Sequence, residues 1–159
     1  MSLSQRVMSY LNELDVSYEV ISHHPSHSSL GSAIAAQIPS NKIAKAVMLE
    51  DSKGHRVMAV LPADSKLSLS ALNESLNGQY HLMKEQQVYQ CFDDCAHGAV
   101  PPIPQAFNLD CIIDESLGDL SDLYIEGGDH RSLVHLSQQE FCRLMGQNRS
   151  GHFSHQLYH

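Results

Sequence analysis

Residues 43–50 read Ile-Ala-Lys-Ala-Val-Met-Leu-Glu, an apolar run with one lysine inside it. A strand alternates its side chains between two faces, so Ile43, Lys45, Val47 and Leu49 share one face and Ala44, Ala46, Met48 and Glu50 the other. Lys45 is thus in phase with the larger aliphatic side chains. If that face is covered, its ammonium must sit in a pocket or be paired, because an isolated buried charge is costly. Burial depresses a lysine pKa, and a neighbouring carboxylate opposes the shift. The plainer alternative is a lysine whose stem lies along the strand and whose head reaches water.

A second stretch, Gly98-Ala99-Val100-Pro101-Pro102-Ile103-Pro104, packs three prolines and a glycine into seven residues. Proline fixes φ and glycine admits close backbone approach, so the loop is stiff and can hold amide N–H groups toward an oxyanion or a carboxyl ester. Read as structure alone, it is a rigid connection. A third stretch, Gly127-Gly128-Asp129-His130, precedes a strand; His130 there suits a base, a ligand contact or a surface turn. No nucleophile motif such as G-x-S-x-G is present. Cys91, Cys95 and His97 are close in sequence, but their spacing is poor for zinc and no fourth ligand is evident, so no metal is expected. Cys91, Cys95, Cys111 and Cys142 read as reduced thiols.

These stretches need elements to position them. Residues 3–15 carry a helical stripe of Leu3, Val7, Leu11 and Leu14, and residues 18–21 a short strand. A polar His-rich loop, 23–27, leads to a helix with Leu30, Ala33, Ile34 and Ile38 on its buried face, stopped by Pro39. The 43–50 strand turns at Asp51-Ser52-Lys53-Gly54 into a return strand, 57–61, and the short connection makes the pair antiparallel. Ser68 caps a further helix ending before Gly78; a strand at 80–83 and a helix through Val88 and Phe92 follow. Strands fit 109–113, 123–125 and 133–136, and the capping box Ser137-Gln138-Gln139-Glu140 opens a last helix to Met145. About seven strands interspersed with four or five helices define a mixed α/β or α+β single domain, residues 1–146, with a polar tail at 147–159.

At 159 residues the chain suits one domain with an ample core. No apolar run approaches the roughly 20 residues of a membrane span, and the N-terminus lacks a signal-peptide layout, so a cytoplasmic protein with no membrane partner is expected. Ten basic against 18 acidic residues give a net charge of −8, which argues against broad charge-driven nucleic-acid binding but leaves room for a local site on one RNA end. Neither G-x-G-x-x-G nor G-K-[ST] occurs, so no nucleotide cofactor is expected.

Four segments in order resemble the YbaK/prolyl-tRNA synthetase-associated family of trans-acting aminoacyl-tRNA deacylases. They are 42–49 around Lys45, Val60-Leu61-Pro62-Ala63-Asp64, Phe92 to Pro102, and Gly127 to His130. The resemblance spans residues 17 to 145. It implies a mixed, barrel-like sheet flanked by helices, with Lys45 as the family's essential strand lysine. Gly98 and Pro102 match the ends of its G-x-x-x-P loop, and His130 a histidine seen in part of the family. Ala99, His97 and Asp129 depart from the expected residues, which bears on specificity. The implied reaction is hydrolysis of the ester of a mischarged tRNA, with a small amino acid such as Ala or Cys on tRNA-Pro and a synthetase as a partner. Lys45, Gly98 and Pro102 are then the catalytic set. Val47, Val60, Ala99, Val100, Pro101, Ile103 and His130 are the expected substrate contacts. The rival is a module that uses the same pocket to hold a tRNA end, a nucleotide or a synthetase without turnover.

Overall fold

The computed structural model describes residues 3–24, 28–97, 99–146 and 148–156. The loop positions 25–27, the Leu30 side chain, Gly98, Gln147 and 157–159 lie outside the described residues. Serines start four of the helices. Ser4 caps α1 (Gln5–Glu13), Ser28 caps α2 (Ser29–Ala36), Ser68 caps α3 (Leu69–Leu76) and Ser137 caps α5 (Gln138–Met145), each hydroxyl accepting a backbone N–H of the first turn. Lys84 precedes α4 (Glu85–Cys91) without such a bond. The capping box at 137–140 is only half made. Ser137 Oγ accepts Glu140 N–H at 3.2 Å, but the Glu140 carboxylate reaches away, accepting Ser17 N–H at 2.8 Å and pairing with Arg143. The last helix is thereby tied to the connection between α1 and β1.

β2 (Ile43–Glu50) and β3 (Arg56–Pro62) form the expected hairpin, with Lys45 opposite Leu61. β1 (Glu19–Ser22), β8 (Ser132–Ser137) and β7 (Asp122–Glu126) add an antiparallel run, and β7 then pairs parallel with β2. On the other side β3 pairs parallel with β6 (Asp110–Asp114), and β6 with β9 (Arg149–Gly151). Two-residue β5 (His81–Leu82) also joins β2, completing an eight-stranded mixed sheet, antiparallel at four of its seven pairings. β4 (Ser65–Leu67) and β10 (Ser154–Gln156) make a separate antiparallel pair. The class is the mixed single domain expected, flanked by helices.

The hairpin is covered on both faces. Ala44, Met48, Met58 and Val60 join Val7, Leu11, Phe92, Phe141 and Leu144 in the main core. On the opposite face Leu49, Val57, Ala59 and Leu61 pack with Leu72 and Phe153, while Ile43 packs with Ala33, Ala63 and Leu133 under α2.

Two expectations are corrected. Ile34, placed by its spacing on the buried face of α2, is 74% exposed; the helix is only eight residues long, and Ala33 with Ala36 makes its contact instead. Residues 149–156, expected as polar tail, form β9 and β10. Their anchor is Phe153, fully buried, whose N–H donates to Asp114 Oδ1 at 3.0 Å and whose carbonyl accepts Ser68 N–H at 2.6 Å. Phe153→Ala is expected to cost about 3–5 kcal/mol, the ordinary loss for a buried phenylalanine, measured by denaturant unfolding. A loss within ~0.5 kcal/mol would instead mark 149–156 as a loose end.

Candidate active site

Lys45 lies in the middle of β2 and is half-buried. Its face carries Ile43 on one side, in the apolar cluster beneath α2, and Val47 with Leu49 on the other, in the cluster beneath α3. The ammonium therefore emerges between two apolar patches. Burial pushes its pKa below the ordinary lysine range, and the nearby Asp64 carboxylate opposes that shift. Asp64, in the turn between β3 and β4, is itself 8% exposed.

The pairing of β2 with β7 runs Ile43 to Tyr124 and Ala44 to Ile125. Lys45 and Glu126 are the next residues of each strand, and alternation places both on the same face of the sheet. The 127–130 turn thus leaves the sheet at the level of Lys45. Gly127 and Gly128 allow α1 to begin against this turn. A Cβ on Gly127 would lie 2.2 Å from Leu3 Cδ2, and Gly128 holds φ +106° with Ser4 and Cys95 where its Cβ would be. Asp129, buried, accepts Arg131 N–H at 2.9 Å, Ser132 N–H at 2.8 Å and Ser132 Oγ–H at 3.1 Å. That ties off the turn and leaves His130, left-handed at φ +57°, buried rather than at a surface turn.

The same turn is stitched to the loop before Ala99. Ala96 N–H donates to the Gly128 carbonyl at 2.7 Å, and His130 Nε2 lies 2.6 Å from the His97 carbonyl. A carbonyl only accepts, so Nε2 is the donor in this contact. Behind this loop Arg6 binds Asp94 at 2.7 Å and the Cys91 carbonyl at 3.0 Å, and Ser4 also donates to Asp94. Burial works against the Asp94 carboxylate, but the bonds from Arg6 and Ser4 outweigh it and hold its carboxyl far below the usual range. His97 stacks on Tyr89 with ring centres 3.6 Å apart.

Of the expected loop residues, Gly98 lies outside the described residues. Ala99, Pro101 and Pro102 are buried, and Val100 packs against the main core. Ala99 N–H is already used, donating to the Ala96 carbonyl at 3.0 Å. Pro101 and Pro102 have no N–H. Among the described residues of the 98–102 loop, only Ala99 and Val100 carry an N–H at all. The expected wall is also corrected. Val47 shares the Lys45 face, but Val60 is opposite Ala46 on the other face, and Val60 and Ile103 are fully buried in the main core. Val47 and Val60 belong to adjacent strands but differ in phase, so they cannot line one pocket.

Two groups went unforeseen. Asp64 was visible only as part of a segment. Glu126 ends an alternation, Tyr124 then Glu126, that a strand ended at 125 cuts short. Glu126 is fully buried, and neither oxygen has a hydrogen bond of normal geometry. Desolvation raises its pKa to about 7; Ser32 and Ser29 on α2 lie close enough to temper the rise, and the Asp129 charge adds to it. Cys95 is buried, and burial pushes its thiol up to about 12, a packing residue rather than a nucleophile. Cys91 Sγ lies 3.1 Å from Arg56 Nη1. Among the described residues no group of three His, Cys, Asp or Glu is placed to hold a metal ion.

A half-buried strand lysine, a proline-stiffened loop and a Gly-Gly turn thus meet at one end of the mixed sheet. Residues 23–144 match the model of the aminoacyl-tRNA editing domain, and the chain belongs to that family. No curated protein matches it. Solved structures share the fold, among them three at 18–19% identity. The hypothetical protein APE2540 superposes with a TM-score of 0.82 at 19% identity, covering 95% of this chain and 100% of its own. A candidate trans-editing enzyme for prolyl-tRNA synthetase gives 0.79 at 19% identity, with 96% of each chain covered. A protein from Marinobacter aquaeolei VT8, described as a candidate for signal transduction, gives 0.76 at 18% identity, covering 94% of this chain and 30% of its own. Among the described residues no helix is long and apolar enough to cross a membrane.

Proposed function

We propose that this chain hydrolyses the ester joining a small amino acid, such as Ala or Cys, to the terminal ribose of a mischarged tRNA, tRNA-Pro being the first candidate. The observation that carries the reading is Lys45: a desolvated ammonium between two apolar patches, at the level of the two loops joined through Ala96 and His130. Water attacks the ester carbonyl carbon, aided by the neighbouring ribose hydroxyl of the substrate. The C–O bond to the ribose breaks, and the departing ribose oxygen takes a proton. Negative charge on the carbonyl oxygen meets the Lys45 ammonium and the N–H groups of Val100 and Gly98. Pro102 holds that loop. His130, buried, braces the loop through its bond to the His97 carbonyl, and Val47 is the wall residue on the Lys45 face. A wall of that kind separates amino acids differing by one methylene by only about 1–3 kcal/mol, so larger side chains are excluded more sharply than near neighbours. The work belongs to the cytoplasm, on free tRNA or beside a synthetase, whose company would offset the acidic net charge.

The test is deacylation of a panel of mischarged tRNAs, beginning with Ala-tRNA(Pro) and Cys-tRNA(Pro). Release of amino acid above the uncatalysed rate from at least one small-residue member is the expected result. Folded protein with no release from any member would leave a binding module in place of an enzyme.

A further inference from the structure

A cavity of about 400 Å³ lies at the other end of β3 from Lys45. Val57 lines it, four residues before Leu61, the partner of Lys45, and so ~13 Å away along the strand. The two places are separate. Val57, Leu76 at the end of α3 and Tyr80 give the cavity its apolar side. Its walls are held in advance. Asn73 clamps Tyr80, accepting its N–H at 2.6 Å and donating to its carbonyl at 3.1 Å. His55 is held by Asp51 at 3.0 Å, and Asn148 donates to the Met145 carbonyl.

Two opposite charges line the same cavity, Asp110 on β6 and Arg149 on β9. The parallel register sets Arg149 beside Ile112, so Asp110, two residues earlier, shares its face of the sheet, with Cα atoms ~8 Å apart. Both residues are exposed, and among the described residues neither side chain makes an ion pair or a hydrogen bond. The carboxylate repels a plain anion, and the guanidinium repels a plain cation. A small molecule that carries both charges on adjacent carbons can meet both groups at once.

We propose that this cavity binds a free α-amino acid with an apolar side chain. The ligand carboxylate takes the planar fork of Arg149, and its ammonium donates to Asp110. The side chain lies on Val57 and Leu76, where it leaves water. The site is built from residues that the editing reading does not use, so it stands whether or not the chain hydrolyses an ester.

The experiment is an NMR titration of the full chain with L-alanine, L-proline and L-leucine, and with N-acetyl-L-alanine, L-alaninamide and inorganic phosphate as controls. Expected are saturable shifts of the Val57, Tyr80, Asp110 and Arg149 backbone amides with at least one amino acid. N-acetyl-L-alanine lacks the ammonium and L-alaninamide the carboxylate. Each should bind about tenfold more weakly than alanine, a difference of ~1.4 kcal/mol. Asp110→Asn and Arg149→Gln should each weaken the amino acid by a similar factor; both side chains are exposed, so folding is not at stake. Phosphate or N-acetyl-L-alanine binding as well as the amino acids would make this a plain anion site and overturn the proposal. Shifts confined to the surroundings of Lys45, or none with any amino acid, would overturn it as well, even in an active enzyme. Cavity shifts in a chain that releases no amino acid from tRNA would support it and count against the hydrolase reading alone.

Discussion

Lys45→Ala is expected to lower kcat/KM for the best mischarged tRNA by about 10²–10³, the usual cost of removing a group that stabilises charge developing in the transition state. The wild-type pH profile should carry a matching sign. Burial favours the neutral amine, so Lys45 loses its proton below the ordinary lysine range. If the ammonium is the working form, the enzymatic rate above the uncatalysed background falls as pH rises through that depressed pKa. Lys45→Arg keeps a charge at all accessible pH, but its planar fork does not replace a compact ammonium, and it should recover only a small part of the loss. A rate that climbs with pH instead, and climbs no longer in Lys45→Ala, would make the neutral amine a general base. An unchanged rate in Lys45→Ala would remove the lysine from the chemistry.

Glu126→Gln should stabilise the protein, and more at pH 8 than at pH 5. The folded carboxyl titrates near 7 against an ordinary value of 4.5. Between those values the folded state binds more protons than the unfolded one, so stability falls as pH rises through the window. Below the ordinary value both states hold the proton and the residue is neutral to stability. Above about 7 the full penalty applies, about 3–4 kcal/mol. Glutamine carries no charge at any pH and escapes it. For a chain of this size that corresponds to a Tm gain of roughly 7–14 °C at pH 8, shrinking toward zero at pH 5. Equal gains at both pH values would show that shape, not charge, is what Glu126 strains. The acid side of the same curve belongs to Asp94, whose bonds to Arg6 and Ser4 are lost only in strong acid.

The legible parts of the sequence were local. Period-two alternation placed Lys45 among the larger aliphatics, four serines marked helix starts, and the Asp51–Gly54 turn fixed the hairpin. What failed depended on partners distant in the chain. Three parallel pairings, β2 with β7, β3 with β6 and β6 with β9, leave no local pattern. The polar stretch at 149–156 reads as tail because its one anchor, Phe153, finds its pocket among residues of β2, β3 and α3. Phase within each strand and proximity to the motifs put Val60 beside Val47, but the pairing register, Val60 opposite Ala46, sets them on opposite faces. The donors of the proline loop narrowed because Ala99 N–H closes a turn on Ala96, a bond that composition does not encode. Glu126 lies one residue beyond the strand legible at 123–125, where Gly127 and Gly128 end the alternation.

The tie between Arg6 and Asp94 spans 88 positions, and that between Ser17 and Glu140 spans 123. β2 receives its second long neighbour, β7, only after some 70 further residues have been made. During synthesis the Lys45 hairpin therefore waits with unpaired backbone on both outer edges, a surface open to mispairing with other chains. The site and the last-made strands close together. Loop closure over such separations is slow, so the rate at which activity returns after dilution from denaturant should follow burial of Phe153 rather than formation of the hairpin.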